Sequence, residues 1–141
     1  MMGMKGRLLL LLSALLVSVL LQAQVPPVQI PKDGPRLKLV GYKWNVGKFS
    51  KAKTPLRGAV YPFTNVGNAP LVIEKVNPHC GCLRVDWIRT PIPPGGKGWV
   101  KVVYDGRTQL PSYFKKTAVI YTNNPEPYRY FDLYLEGEMT E

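Results

Sequence analysis

The chain has 141 residues and a formal charge of +10, from 19 lysines and arginines against 9 acidic residues, with two cysteines and one histidine. This length allows one domain with a hydrophobic core, whereas so few cysteines and histidines do not complete a structural zinc site, which usually takes four ligands. No nucleic-acid-binding motif accompanies the basic charge, which we interpret as solvated strand faces and lysines that protect sheet edges; an anionic partner is the alternative.

Residues 1–23 have the features of a secretory signal peptide. Lys5 and Arg7 precede an apolar run over residues 8–21, and Ala23 supplies a small residue for cleavage. A membrane anchor is the alternative, but a spanning helix needs about 20 apolar residues. We therefore predict a periplasmic or secreted protein, cleaved near Ala23, with no transmembrane segment in the mature chain.

After the signal, residues 24–35 contain four prolines and are predicted to be an extended lead-in. From residue 36 to 141, short runs rich in β-branched and aromatic residues alternate with turn signals. No apolar run keeps a helical period, so little helix is expected. The pattern predicts one all-β, immunoglobulin-like antiparallel β-sandwich of about seven strands. These are Leu37–Trp44, Leu56–Thr64, Leu71–Val76, Leu83–Trp87, Gly98–Tyr104, Phe114–Thr122 and Tyr128–Glu138.

Turn residues and alternation refine this prediction. Residues 65–68 (NVGN) predict a turn with positive φ, and residues 91–96 (PIPPGG) predict a stiff crossing that ends in a glycine turn. Because successive strand residues face opposite sides, Trp99, Tyr130 and Tyr134 are expected to point outward. The side chains expected to be largely buried are Tyr61, Phe63, Val100, Val102, Phe131, Leu133 and Leu135.

Residues 60–73 (VYPFTNVGNAPLVI) resemble the opening of the bacterial domain of unknown function (DUF) family 1573. Later motifs follow in the order typical of that family, and the resemblance spans residues 56–138. They are Cys80-Gly81-Cys82, Pro91-Ile92-x-Pro94-Gly95, Val102-x-Tyr104-Asp105, Phe114-Lys115-Lys116 and Thr122-Asn123. The resemblance implies an immunoglobulin-like sandwich related to the major-sperm-protein and pilus-chaperone group, exported from Gram-negative bacteria of the Bacteroidetes kind. It implies no activity.

The run His79-Cys80-Gly81-Cys82 allows three arrangements. In a strand, residues i and i+2 lie about 6.6 Å apart, near the upper limit for a disulfide, and Gly81 would let the backbone close the gap. Alternatively, two thiolates bind Cu(I), with His79 as a third ligand. The third arrangement is a pair of buried thiols, which an oxidising compartment disfavours.

No catalytic apparatus is evident in the sequence. A cysteine nucleophile needs a base within hydrogen-bond reach, whereas in a strand His79 and Cys80 would emerge on opposite faces. The acidic residues are scattered, without the spacing of a paired carboxylate site. We therefore predict that the protein is not an enzyme, has no catalytic residues and needs no cofactor.

The predicted function is a non-catalytic binding or structural module of the cell envelope, which contacts another envelope protein through an exposed sheet face or edge. Trp99, Tyr130 and Tyr134 are the candidate binding face, since tyrosine and tryptophan are enriched at binding hot spots, although aromatic residues also simply suit strands. A glycan stacked on flat aromatic faces is a second kind of partner, and nucleic acid is not expected. The alternative function is a copper-binding or thiol-redox protein that acts through Cys80 and Cys82.

Overall fold

Eight strands account for the alternating apolar pattern of the sequence. The structure is a computed structural model that describes residues 33–141; the predicted signal peptide and nearly all of the predicted lead-in lie outside these residues. In chain order, the strands are β1 (Leu37–Leu39), β2 (Lys43–Ser50), β3 (Leu56–Asn65), β4 (Ile73–Pro78), β5 (Leu83–Trp87), β6 (Lys97–Asp105), β7 (Tyr113–Thr122) and β8 (Tyr130–Thr140).

The strands form two four-stranded sheets packed face to face. Sheet A has the order β1-β3-β6-β5, and sheet B has the order β2-β8-β7-β4. No helix occurs between residues 33 and 141, so the predicted all-β sandwich is confirmed. Within that same range there is no helix of the length and apolarity that a membrane crossing requires.

The predicted strand Leu37–Trp44 is wrong, because this segment is two strands in different sheets. Bends at Val40 and Tyr42 end β1 on sheet A and carry the chain across to sheet B, where β2 begins. There β2 runs parallel to β8. The sandwich therefore has eight strands rather than about seven, and one of its strand pairs is parallel rather than antiparallel.

Alternating residues of both sheets fill the core between them, as the sequence pattern predicts. Of the seven side chains expected to be buried, six are at most 1% exposed: Tyr61, Phe63, Val100, Val102, Leu133 and Leu135. Phe131 is only half-buried at the margin of the core. Its side chain lies near Leu39 and Tyr42, where the chain leaves sheet A, so sheet A does not cover it fully.

Two glycine turns connect the strands for different physical reasons. Gly95 has a φ of 77°, so the predicted glycine turn after the crossing at residues 91–96 is present. The prediction of positive φ over residues 65–68 is wrong, because no residue of that turn has it. Gly67 is instead needed for space, since a Cβ atom there would overlap the backbone of residues 34–36.

Candidate functional site

The two cysteines lie in the connection that carries the chain from β4 in sheet B to β5 in sheet A. Their sulfur atoms are bonded to each other, with the Cα atoms 5.1 Å apart, inside the usual range for a disulfide. Gly81 and Cys82 form a turn rather than extended backbone, so the chain leaves strand geometry at Gly81 and the gap expected for a strand is closed. Of the three arrangements left open by the sequence, the structure contains the disulfide.

Hydrogen bonds fix this turn to both sheets. The Cys82 amide donates to the Cys80 sulfur at 3.1 Å, and the Asp105 amide on β6 donates to the Cys82 carbonyl at 2.7 Å. On the other side, the His79 amide donates to the Thr117 carbonyl on β7 at 3.0 Å. The disulfide therefore closes a turn that is already held at both ends.

Few side chains around the disulfide could act as nucleophiles or metal ligands. Cys82 is buried, Cys80 is half-buried and His79 is exposed to solvent. Both sulfur atoms are used in the bond, so neither is a thiolate that could act as a nucleophile or a metal ligand. Within residues 33–141, no three histidine, cysteine or acidic side chains are grouped so that they could hold a metal ion.

Asp105, beside the turn, is held by two arginines. Arg107 Nη2 lies 2.6 Å and Arg84 Nη2 lies 2.7 Å from Asp105 Oδ2. The hydrogen bond from Arg107, aided by that from Arg84, keeps the pKa of the Asp105 carboxyl well below its ordinary value. A carboxylate held ionised in this way does not serve as a proton donor. We therefore interpret the cluster as a structural set of ion pairs that fixes the end of β6.

The three aromatic candidates do not form one surface, which corrects the predicted binding face. Trp99 lies on β6 and points outward from sheet A, whereas Tyr130 and Tyr134 lie on β8 and point outward from sheet B. Alternation along a strand shows which residues point outward, but it does not show which sheet the strand belongs to. Trp99 is therefore on the opposite side of the sandwich from the two tyrosines.

Tyr134 is the centre of an aromatic and cationic surface on sheet B. The Tyr42 ring packs edge-on against the Tyr134 ring, with centroids 6.3 Å apart. The Nζ atoms of Lys43 and Lys115 lie 5.8 Å and 5.4 Å from the Tyr134 centroid, within the range of cation–π attraction. Tyr134 thus has an ammonium group on each neighbouring strand.

A second aromatic pair extends the same surface. The rings of Tyr121 and Tyr130 pack edge-on with centroids 5.0 Å apart, and Lys75 Nζ lies 5.7 Å from the Tyr121 centroid. Tyr130 remains 55% exposed. We call the surface formed by these residues the tyrosine–lysine face: Tyr42, Lys43, Lys75, Lys115, Tyr121, Tyr130 and Tyr134.

Sequence reasoning found only Tyr130 and Tyr134 of this face. Tyr121 lies directly opposite Tyr130 in the β7–β8 register, and Lys43 lies beside Tyr134 in the parallel β2–β8 register. These partners are far apart in the chain and become neighbours only through strand pairing. The signal that could have found Tyr121 is the spacing of outward residues along β7, once β7 and β8 are paired.

Carboxylates at one side of the face are already engaged. The Tyr113 hydroxyl donates to Glu136 Oε2 at 2.9 Å, and Lys48 Nζ lies 3.1 Å from Glu138 Oε1. The hydrogen bond to Glu136 raises the pKa of Tyr113. Asp132 adds one exposed carboxylate to the face, and it accepts a hydrogen bond from the Tyr134 hydroxyl at 3.4 Å. The face therefore presents mainly tyrosine rings, hydroxyl groups and ammonium groups, which suit a polar partner with aromatic or acidic groups.

A family model described as "Protein of unknown function (DUF1573)" matches residues 38–139. This match covers most of the chain and confirms the resemblance recognised in the sequence. No match was found among curated proteins.

Solved structures show the same fold. The chain is 19% identical to a protein of unknown function from Porphyromonas gingivalis W83, with a TM-score of 0.65, covering 81% of this chain and 51% of that one. It thus spans about half the length of that protein. It is 11% identical to the ASH / PapD-like domain of human CEP192, with a TM-score of 0.61, covering 86% of this chain and 96% of that domain.

A third similar structure is the YadV chaperone. The identity is 15% and the TM-score is 0.50, with coverage of 73% of this chain and 50% of that one. At these identities the similarities establish the fold alone. They place the chain among immunoglobulin-like, PapD-like sandwiches, as the sequence predicts.

Proposed function

The chain belongs to the DUF1573 family, and we propose that it is an exported, non-catalytic module of the cell envelope that binds another envelope protein through its tyrosine–lysine face. The observation that carries this proposal is the grouping of four tyrosines and three lysines on the solvent side of sheet B. None of these seven side chains belongs to the hydrophobic core of the sandwich.

The composition of the face supports protein binding. Tyrosine supplies a large, rigid contact area at a low cost in conformational entropy, and it is enriched at binding hot spots. The rings of Tyr130 and Tyr42 are more than half exposed, yet each packs edge-on against a neighbouring tyrosine. A partner therefore meets side chains that are already ordered, so less entropy is lost on binding.

A non-catalytic role agrees with the chemistry of the cysteine turn. The disulfide leaves neither sulfur as a nucleophile, and the carboxyl of Asp105 is held ionised by arginines. One of the similar solved structures is a chaperone, and protein binding by this chain is in keeping with that use of the fold. Export is proposed from the signal-like residues 1–23, and cleavage near Ala23 would be read from the mass of periplasmic material.

The proposal is tested by capture from envelope extract of the source organism, with the mature chain as bait. The variant Tyr130→Ala/Tyr134→Ala removes the centre of the face. The control Trp99→Ala removes an aromatic side chain from the opposite sheet, and all baits are first checked for equal melting temperature. We expect a protein partner that wild type and the control retain and that the double variant loses.

Two outcomes would count against protein binding at this face. If all three baits capture the same proteins in the same amounts, the tyrosine–lysine face is not the contact surface. If the double variant loses only carbohydrate-dependent capture, abolished by glycosidase treatment of the extract, the partner is a glycan stacked on the rings rather than a protein.

A further inference from the structure

Strand β3 is longer than the strand that covers its outer edge. β3 covers Leu56–Asn65, but β1 pairs only with its last three residues. One more hydrogen bond runs from the Val40 amide to the Pro62 carbonyl at 3.1 Å, and the chain then crosses to sheet B. Within residues 33–141, no strand pairs with the stretch Leu56–Tyr61 on the side away from β6. We call this stretch the β3 slot.

The backbone groups of the slot point alternately toward β6 and toward the open side. The Asn65 amide and carbonyl bond to Gly96 and Gly95, on the β6 side, whereas the Pro62 carbonyl bonds toward β1. Since backbone groups alternate in direction along an antiparallel strand, the even-numbered residues of the slot direct their N–H and C=O groups outward. These residues are Leu56, Gly58 and Val60, and all three are exposed.

The other open edges carry features that discourage the addition of a strand. β2 and β4 each contain a bulge or register shift, and β5 has the charged residues Arg84 and Asp86 on its outer face. Bulges and charged side chains are the usual protection of a sheet edge. The slot has neither a bulge nor a lysine, and its only charged residue is Arg57.

An exposed tryptophan lies on β2, the strand of sheet B that contacts β3. In the parallel register Trp44 lies beside Leu135, whose side chain is buried in the core, so Trp44 is on the inner side of sheet B. It is nevertheless 53% exposed, and it follows directly after the crossing that ends β1. A strand in the slot would cover Trp44 with its inward side chains and would place outward side chains beside Val60.

The charges that border the slot are basic. Lys38 lies beyond one end of the slot on β1, and Arg57 lies at the other end, with its guanidinium 5.7 Å from the centroid of the Phe49 ring. Within residues 33–141, neither of these two side chains forms a salt bridge. Acidic groups at the ends of an incoming segment would therefore meet cations that have no carboxylate partner.

We propose that the β3 slot accepts an extended segment of a partner protein, with alternating apolar residues between acidic ends, which adds to sheet A as a strand. Main-chain hydrogen bonds to Leu56, Gly58 and Val60 would give affinity, and the contact with Trp44 would favour an apolar inward side chain. The proposal rests on the proposed function in that the protein is a binding module, but it uses a different surface.

The test uses a synthetic nonapeptide in which valine alternates with threonine between two acidic residues at each end, labelled for fluorescence anisotropy. Val60→Pro removes an outward N–H group of the slot and leaves the β3–β6 hydrogen bonds intact. The matched control is Val85→Pro on β5, the other edge strand of sheet A, where the N–H group also points away from β6. This direction follows because Cys82 and Ile88, an odd number of residues away, bond toward β6.

We expect wild type and Val85→Pro to bind the peptide, and Val60→Pro to bind at least about tenfold more weakly. Trp44→Ala provides a second variant whose backbone is unchanged, and it should also weaken binding. On binding, hydrogen exchange at the amides of Gly58 and Val60 should slow. Equal binding by all variants, or no protection of these amides, would overturn the proposal.

Two further measurements distinguish the slot from a dimer interface and from the tyrosine–lysine face. If wild type dimerises in sedimentation experiments and Val60→Pro does not, the occupant is a second copy of this chain and the proposal of a separate partner is wrong. The variant Tyr130→Ala/Tyr134→Ala should bind the peptide as wild type does. Failure of peptide binding with intact capture through the tyrosine–lysine face would defeat the slot and leave the proposed function standing.

Discussion

At the scale of single residues, Tyr61 joins the two sheets through a polar contact inside the core. Its side chain is 1% exposed, and its hydroxyl group donates a hydrogen bond of 2.8 Å to the Tyr134 carbonyl on β8. Burial raises the pKa of this phenol well above the ordinary value of 10.0. The folded protein therefore keeps the Tyr61 phenol in its neutral form.

The replacement Tyr61→Phe should lower the free energy of unfolding by about 1 kcal/mol at neutral pH, because it removes one buried hydrogen bond. The same replacement has a more specific effect on the free energy of unfolding at alkaline pH. Below the unfolded pKa, Tyr61 is neutral in both states; above it, only the unfolded chain ionises, so stability is lost as pH rises. Chemical denaturation from pH 8 to 11 should show a smaller loss for Tyr61→Phe than for wild type.

Tyr128→Phe, at an exposed position outside the strands, is the control for that experiment. It should keep the alkaline loss of wild type. An identical pH dependence in wild type and Tyr61→Phe would contradict the assigned role of the buried phenol.

Asn65, in the family-like motif of residues 60–73, has a structural role. Its side chain is fully buried, and its amide group donates to the carbonyls of Ala69 and Ile92 at 2.8 Å and 2.9 Å. Its oxygen accepts from the amides of Arg36 and Gly67 at 3.2 Å and 3.0 Å. This side chain satisfies four backbone groups at one end of the sandwich, so the motif serves the fold rather than a binding site.

At the scale of elements, the β4–β5 connection decides how much the disulfide contributes. Because Cys80 and Cys82 close a very short loop, the chain-entropy gain should be well below the ~3 kcal/mol estimated for a 15-residue loop. Backbone bonds to β6 and β7 already hold the turn. Replacing both cysteines with serine should lower the melting temperature only modestly, with unchanged far-UV circular dichroism.

The same variant tests the alternative copper function. We expect reduced wild type and the double-serine variant to bind Cu(I) equally and weakly in competition with a chromophoric chelator. The physical reason is that Cys82 is buried, so its thiolate would be formed at a cost in desolvation, while His79 is exposed to solvent. Tight one-to-one binding by the wild type that the variant loses would show that the pair is a metal site.

The strands were predictable where local alternation decides them. β5 occupies the predicted residues Leu83–Trp87, and the inward faces of β6 and β8 match the sequence pattern. The division of Leu37–Trp44 was not predictable, because its apolar pattern continues through the crossing. Which sheet each half joins depends on β3 and β8, which lie far along the chain. The candidate face failed for the same reason, since Trp99 and Tyr134 belong to different sheets.

At the scale of the whole molecule, the sandwich depends on its last strand. β8 is an interior strand of sheet B and pairs with both β2 and β7. It also supplies core residues, among them Leu133, Leu135 and Met139, which are each 1% exposed. Without β8, neither β2 nor β7 would have a partner on that side, and the inner face of sheet A would lose part of its cover.

We therefore predict that a chain ending at Arg129 does not fold, whereas a chain ending at Thr140 does. The chain that ends at Thr140 keeps all eight strands and loses a hydrogen bond from the Ser50 hydroxyl to the Glu141 carbonyl. Deleting β8 removes a parallel ladder, an antiparallel ladder and several fully buried side chains. This loss is much larger than the stability of about 5–15 kcal/mol that is typical of a domain.

Because the two sheets share one core, sheet A should unfold with sheet B. Thermal melts followed by circular dichroism and tryptophan fluorescence should show one coincident transition for the Thr140 chain and none for the Arg129 chain. A cooperative melt of the Arg129 chain would mean that sheet A folds independently.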